Sequence, residues 1–279
     1  MKSFRLEKKI LDIVCYTILI FVSLVIIIPI LWIIMSSLQT DKSLFSASFF
    51  PKKITFNNYL RLFKTDYFHW YSNTLILATF NMIFTVLITS ISAYVFSRYK
   101  FKFKKNIMIA FLVIQMFPSF LALTAIYVIL DGMKLLDSYL GLLLVYICGQ
   151  IPYNTWLAKG FFDAIPISLD EAGRVDGAGH FTIFWDIIMP LAKPIMVFLA
   201  ITSFMGPWFD FIFPSLLIRN VEKKTLAMGL FEWTAQQSDK SDFTLFACGS
   251  LLIAIPITAL FLVLQKHIVK GLAAGSVKE

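Results

Sequence analysis

The 279 residues are 58% hydrophobic and only 15% charged, with a mean hydropathy of +0.78. Soluble domains carry about 25% charged residues, so this composition excludes an ordinary soluble globular protein. The formal charge of +8 is read first as an orientation signal across a bilayer, since no nucleic-acid-binding motif accompanies it.

Met1 to Lys9 is short and basic, and an uncharged run follows from Ile13 to Thr40. That run is longer than a signal-peptide core and has no small-residue cleavage site, so it reads as a retained span. A helix needs about 20 apolar residues to cross the hydrocarbon. Runs of that kind predict six transmembrane helices over about 10–38, 69–97, 106–130, 139–162, 191–218 and 243–266. The expected fold is a single all-α integral membrane domain over 10–270, between a short N-terminus (1–9) and a C-terminal tail (271–279). Pro118, Pro152 and Pro207 mark expected kinks.

Lysine and arginine set the orientation. Arg98–Lys105, RYKFKFKK, holds five basic and no acidic residues, so it is expected to stay cytoplasmic. With an even number of spans, both termini and the 164–190 loop fall on that side too. The first outer loop, Asp41 to Asp66, contains NNYLRLF, which predicts a short interfacial helix packed by Phe49, Phe50, Tyr59 and Phe63. Trp32, Trp70 and Tyr71 fall near span ends, where aromatic rings favour the headgroup level. The third outer loop, Arg219 to Asp242, is long for a connection and is a candidate for function.

The segment Ser168–Pro190, SLDEAGRVDGAGHFTIFWDIIMP, crowds Asp170, Glu171, Arg174, Asp176 and Asp186 between two apolar spans. Ser168 is expected to N-cap a short helix, with Glu171 completing a capping box. Asp170 and Arg174 stand at i,i+4, and Asp176-Gly177 supplies a left-handed stop. A second helical stretch is predicted to run to Pro190. Such a polar helix–Gly–helix belongs at the water surface, where another protein can grip it.

Polar residues at membrane depth are functional candidates. Asp210, in GPWFDFIFP, is the one acid in the interior of a predicted span, and Gly206, Pro207 and Pro214 around it predict a broken helix. Asp210 either lines a pathway or is structurally paired near the outer mouth. Gln115 and Asn154 are pathway candidates of the same kind, and with Gln150 and Asn81 they also suit bridges between helices. The three cysteines and three histidines share no ligand spacing, which gives no disulfide or metal site. No G-x-x-x-x-G-K-[ST] occurs, so ATP binding by a P-loop is excluded for this chain. The spacing also lacks the repeated broken helices of a secondary transporter.

Glu171-Ala172-Gly173, Asp176-Gly177-Ala178, Phe184, Ile187 and Met189-Pro190 resemble the EAA loop of binding-protein-dependent ABC importer permeases, with Gly173 and Met189 departing from the usual Ala and Leu. The resemblance implies the type I permease fold and a coupling helix that docks into a cleft of a cytoplasmic ATPase subunit. It assigns that docking to Glu171, Ala172, Gly173, Asp176, Gly177, Ala178 and Pro190. Glu171 would form an ion pair, Ala172 and Gly173 would allow close approach, and Pro190 would set the entry angle of the fifth span. Ile114–Asp131, Thr225–Leu230 and Val269–Glu279 narrow the likeness to the smaller permease subunit of maltose and maltodextrin importers. That implies a second, larger permease carrying most sugar contacts, two ATPase subunits holding ATP and Mg2+, and an extracellular sugar-binding protein. Asn220–Ser241 would reach that binding protein, and Gly271–Glu279 would run between the ATPases. The chain itself would be non-catalytic and bind no cofactor. Galacto-oligosaccharides or another oligosaccharide are the alternative cargo, and an ATP-independent carrier or channel is the alternative class.

Overall fold

A computed structural model describes residues 2–40, 51, 53–234 and 242–275, with side chains described for 9–40, 51, 53–234 and 242–266. Every regular element among them is helical. In order these are α1 (Lys2–Ser37), α2 (Asn57–Leu62), α3 (Tyr67–Arg98), α4 (Lys104–Met116), α5 (Leu123–Gly132), α6 (Tyr139–Asp163), α7 (Ser168–Val175), α8 (His180–Thr182), α9 (Met189–Leu191), α10 (Lys193–Phe209), α11 (Ile212–Leu217), α12 (Leu226–Thr234) and α13 (Phe243–Gly275). A π-helical turn, Ile183–Ile188, joins α8 to α9. Helices or helix pairs cover all six predicted spans.

One predicted span is bent inside, Lys104–Met116 and Ser119–Gly132 meeting at 91°, and another is turned at its start, where His180–Leu191 meets Lys193–Phe209 at 80°. The first break falls at Phe117-Pro118, where Pro118 cannot continue the backbone ladder and holds its predecessor extended. Among the described residues three helices are long and apolar enough to cross a bilayer, and counting each bent pair as one span gives up to five. The helix over the remaining predicted span, α6, carries Gln150, Asn154, Thr155 and Lys159. It is the central partner of the packing described next, so its polar groups face protein more than lipid.

The chain divides into two compact units, residues 1–66 with 230–252 and residues 67–229 with 253–279. In the first, every α1 residue from Lys9 to Leu31 is exposed, an apolar surface that suits lipid and not water. α2 forms over the predicted NNYLRL stretch, but its inward side differs from the expectation. Asn58 and Leu62 are buried, whereas Phe63 is 62% exposed, because Asn58 Nδ2 donates to the carbonyls of Ser37 (2.9 Å) and Gln39 (2.7 Å) and turns that side inward. Phe49 and Phe50 lie outside the described residues. Asp242 caps α13 through Leu245 N–H (3.2 Å) and is ion-paired with Arg61. Trp32 stacks obliquely on Phe243 at 5.5 Å.

In the second unit α3, α6 and α10 form the core. Asn81, fully buried on α3, donates to Ser203 O of α10 (2.7 Å) and accepts from Thr85 Oγ (3.2 Å), so it bridges helices as expected. Trp70 and Tyr71, expected at the headgroup level, both pack against protein. Trp70 is buried beneath Gly229, and Tyr71 meets Trp208 edge-on at 5.0 Å, because residues 219–229 fold over the start of α3. Asn73 Nδ2 donates to the carbonyls of Glu222 (2.8 Å) and Lys224 (2.9 Å), and Leu226 N–H donates to Thr74 Oγ1 (2.8 Å). The opposite end of α3 holds the basic 98–105 loop and the 164–190 loop together. Loops predicted to share a side therefore share an end of this 32-residue helix, which spans roughly 48 Å.

Candidate functional site

α7 stands on the end of the α3–α6 core, and its two faces have opposite characters. The expected capping box is not made. Ile167, in helical conformation, precedes the first turn without any side-chain cap. The turn already opens at Pro166, whose carbonyl accepts Leu169 N–H (3.2 Å), and Glu171 N–H donates to Ile167 O (3.1 Å). Proline's fixed φ favours this earlier start, which moves Ser168 from the cap into the helix and leaves the Glu171 side chain free to face outward.

The predicted Asp170–Arg174 pairing is also corrected. Asp170 is 1% exposed and accepts from Arg98 Nε at 3.0 Å, while Arg174 faces solvent. The reason is the helix phase. Asp170 and Gly173 share the inward side, which faces the last residue of α3. The Arg98 guanidinium there also donates to Phe162 O (3.0 Å), Ile165 O (3.0 Å) and Ser97 Oγ (3.1 Å). Two of these acceptors are carbonyls at and just beyond the α6 C-terminus, where the regular ladder ends (Phe162 O accepts Ile165 N–H at 3.1 Å) and a cation is attracted. One side chain thus ties the ends of α3 and α6 to α7. Nearby, Ser97 Oγ donates to Asp163 Oδ1 (2.7 Å).

The stop at Gly177 forms as predicted. Gly177 has φ +83°, its N–H donates to Arg174 O (3.0 Å), and Ala178 N–H donates to Gly173 O (2.9 Å), the two bonds of a Schellman ending. Gly173 looks inward. A Cβ there would come within 2.7 Å of Ile187 Cδ1 and 3.3 Å of Ile183 Cγ1, so its missing side chain lets α7 approach the π-helical turn of its own chain. Beneath lie Tyr94, Phe162, Phe184 and Ile188, all buried, with Tyr94 and Phe184 rings 5.1 Å apart. Ala178 is half-buried on this cluster. The outward side presents Ser168, Glu171, Ala172 and Val175, the last 88% exposed, and Asp176 is exposed beside them. Pro190 lies in α9, just ahead of the 80° turn into α10.

The remaining candidates are dispersed. Asp210 sits at the break between α10 and α11. Its Oδ2 accepts from Tyr146 OH (2.8 Å), and its Oδ1 accepts from the N–H groups of Ile212 (2.9 Å) and Phe213 (3.3 Å). That is the paired arrangement, in which the carboxylate satisfies backbone groups freed by the break. Gln115 Nε2 donates to Gly149 O (3.2 Å), joining α4 to α6, and Asn154 is buried on α6. The three do not converge on one site. Of the third outer loop, residues 235–241 lie outside the described residues. The tail from Ser276 onward lies outside them too, as do the side chains of 271–275. Arg98 was legible in the sequence only as one charge among five in a basic loop. Its partner stands 72 residues away, and no local spacing links them.

A family of binding-protein-dependent transport system inner membrane components matches residues 86–274 of the chain. The chain belongs to that family. It is 42% identical over 272 residues to the maltodextrin transport system permease protein MdxG of Bacillus subtilis, covering 97% of this chain and 98% of that one. It is 40% identical over 267 residues to the galactooligosaccharides transport system permease protein GanQ of the same organism, covering 94% of each. It is 39% identical over 277 residues to the maltodextrin transport system permease protein MalD of Streptococcus pneumoniae, covering 99% of each. In fold it is similar to a chain of a bacterial ABC transporter that imports the acidic polysaccharide alginate, with a TM-score of 0.80 at 22% identity, covering 92% of this chain and 96% of that one. The matched family region contains the whole of α7 and its clamp to Arg98.

Proposed function

We propose that this permease forms half of the translocation pathway of an ATP-driven importer of maltose or maltodextrins. The observation that carries the reading is the two-faced α7. Its inner side is fixed to α3 and α6 through Asp170 and Arg98, and its outer side leaves Glu171, Ala172 and Val175 unoccupied by this chain. A helix held rigidly within and bare without is suited to transmit a push from a partner. Two cytoplasmic ATPase subunits, which hold ATP and Mg2+, supply that push, and this chain performs no catalysis. Glu171 pairs with a basic ATPase residue, Ala172 lets the surfaces approach, and the Gly177 stop with Pro190 directs movement into α10. Gly173 acts from the inner side by allowing α7 to sit low on its own chain. A second, larger permease completes the pathway, and an extracellular sugar-binding protein meets residues 220–241. The chain is multi-pass in the bacterial cell membrane with both termini cytoplasmic.

Glu171→Lys separates this reading from a carrier that works alone. The variant is expected to reach the membrane, keep its fold and lose uptake coupled to ATP hydrolysis. Uptake at the normal rate would overturn the docking role. Galacto-oligosaccharide cargo is the second reading, favoured by the 40% identity to GanQ, close to the 42% to MdxG. Uptake of labelled maltotriose by cells carrying the transporter, with galactobiose as competitor and a strain lacking this subunit as the blank, distinguishes the two.

A further inference from the structure

A cleft of about 530 Å³ opens between α4 and α6 at the same end as α7. Lys100, Lys102, Lys104, Lys105 and Lys159 surround it, and Phe101, Met108, Ile109, Leu112 and Trp156 complete its walls. No carboxylate lines it. The nearest acid described, Asp163, is already ion-paired with Lys159. Lys104, half-buried, has its ammonium held below the ordinary lysine range, first by burial and then by the neighbouring Lys159 and Lys100 charges. An anion in the cleft would relieve that crowding.

The walls change character with depth. Along α4 the order is Lys104 and Lys105, then Met108 and Ile109 one turn on, then Leu112 one turn further. Eight residues rise roughly 12 Å. Along α6 the same direction leads from Lys159 to Trp156. Both helices therefore place ammonium groups at the rim and apolar side chains below it, and Ile109, Leu112 and Trp156 are 49%, 39% and 42% exposed. A free anion or an acidic protein surface matches the rim but leaves the lower slot unfilled. A phospholipid matches both, since basic pockets between transmembrane helices hold lipid phosphates.

We propose that this cleft is a binding site for one anionic phospholipid, its phosphate among Lys100, Lys104 and Lys105 and an acyl chain along Ile109, Leu112 and Trp156. The site goes beyond the transport reading and draws from it only the assignment of this end to the cytoplasmic leaflet. Polar contacts link it to the Arg98 clamp through Lys159, Asp163 and Ser97, so the bound lipid braces α4 against α6 beside that clamp.

The test uses the full chain assembled with its partner subunits in detergent, titrated with phosphatidylglycerol or phosphatidylcholine and read by native mass spectrometry. One phosphatidylglycerol is expected to be retained in preference to phosphatidylcholine. Each lysine near an anionic headgroup contributes about fivefold, so Lys104→Gln/Lys105→Gln is expected to lower that retention by at least tenfold. Ile109→Asn/Leu112→Asn is expected to lower it with all lysines in place. Equal retention of both lipids, or no change in either double variant, overturns the proposal. Displacement by equimolar glycerol 3-phosphate overturns it too, because the rim alone would then bind. Loss of a subunit instead of a lipid in the lysine variant would make the cleft a protein contact. As a readout independent of variant folding, a phosphatidylglycerol with a diazirine on its acyl chain is expected to label residues 105–112 or 153–159 of the wild-type chain. Labelling elsewhere only would overturn the site. Failure of the subunits to assemble at all would instead count against the transport reading, and the labelling of the chain by itself still decides the lipid site.

Discussion

Replacing Arg98 by Met removes one guanidinium, which strands the Asp170 carboxylate and the Ile165 carbonyl and leaves the Phe162 carbonyl with Ile165 N–H (3.1 Å) alone. The side chains of Arg98 and Asp170 are 5% and 2% exposed, with 3.0 Å between Nε and Oδ2. At an effective dielectric constant of about 20, unit charges that close attract by about 5.5 kcal/mol, and desolvation of both groups offsets most of it. The intact pair therefore adds little net stability. Breaking it on one side is different, because a buried carboxylate left alone costs about 3–5 kcal/mol. Asp170→Asn keeps a carbonyl acceptor toward Arg98 Nε and leaves the two α6 carbonyls served, so it is expected to cost clearly less. Arg98→Lys falls between, since one ammonium cannot reach three divergent acceptors with the guanidinium's fixed fork. The assay is thermal unfolding of the assembled transporter alongside the ratio of sugar taken up to ATP hydrolysed in proteoliposomes. Arg98→Met should show the largest fall in both, followed by Arg98→Lys and then Asp170→Asn. Wild-type unfolding and an unchanged ratio in Arg98→Met would refute the idea that α7 moves the bundle through this side chain.

Gly177→Ala places a Cβ at φ +83° and is expected to cost about 1–2 kcal/mol, read as faster hydrogen exchange in residues 168–178. Gly229→Ala is expected to be worse tolerated, because its Cβ would fall inside the Trp70 ring. Overpacking of that kind costs about 1–3 kcal/mol, and Trp70 fluorescence should report the displaced indole, with Trp70→Leu relieving the strain. The Asp137 carboxyl is held below its ordinary value of 3.8, chiefly by the backbone N–H groups of Asn220 and Arg219. A lowered folded-state value means that this carboxylate supports the 219–224 segment above about pH 4 and is lost as the pH falls below 3.8. Exchange in that segment is expected to rise on acidification in the parent but to stay flat in Asp137→Asn.

Much of the site could be read from the residues because its constraints are local. The Asp176-Gly177 stop needs only a left-handed position after a helical turn, and the EAA pattern lies within 20 residues of Glu171 at fixed spacing. The broken helix at Asp210 followed from Pro207, Pro214 and Gly206 for the same reason. Reading Ser168 as a cap failed because Pro166 offers a competing start two residues earlier. Reading Asp170 with Arg174 failed because i,i+4 spacing places two charges near each other without saying which side of the helix is buried.

By itself, then, the sequence determined a membrane-embedded helical permease, which of its loops meet at one end of α3, and where a short polar helix interrupts the apolar spans. These are consequences of hydropathy, charge bias and backbone preference acting over a few residues. Tertiary structure alone decided that Asp170 turns inward to Arg98, that Gly173 serves the chain's own packing, and that lysines from α4 and α6 surround one graded cleft. The first and third depend on residues more than 50 positions apart meeting across helices, and the second on a turn folding back over 10–14 residues; no local pattern encodes such a meeting.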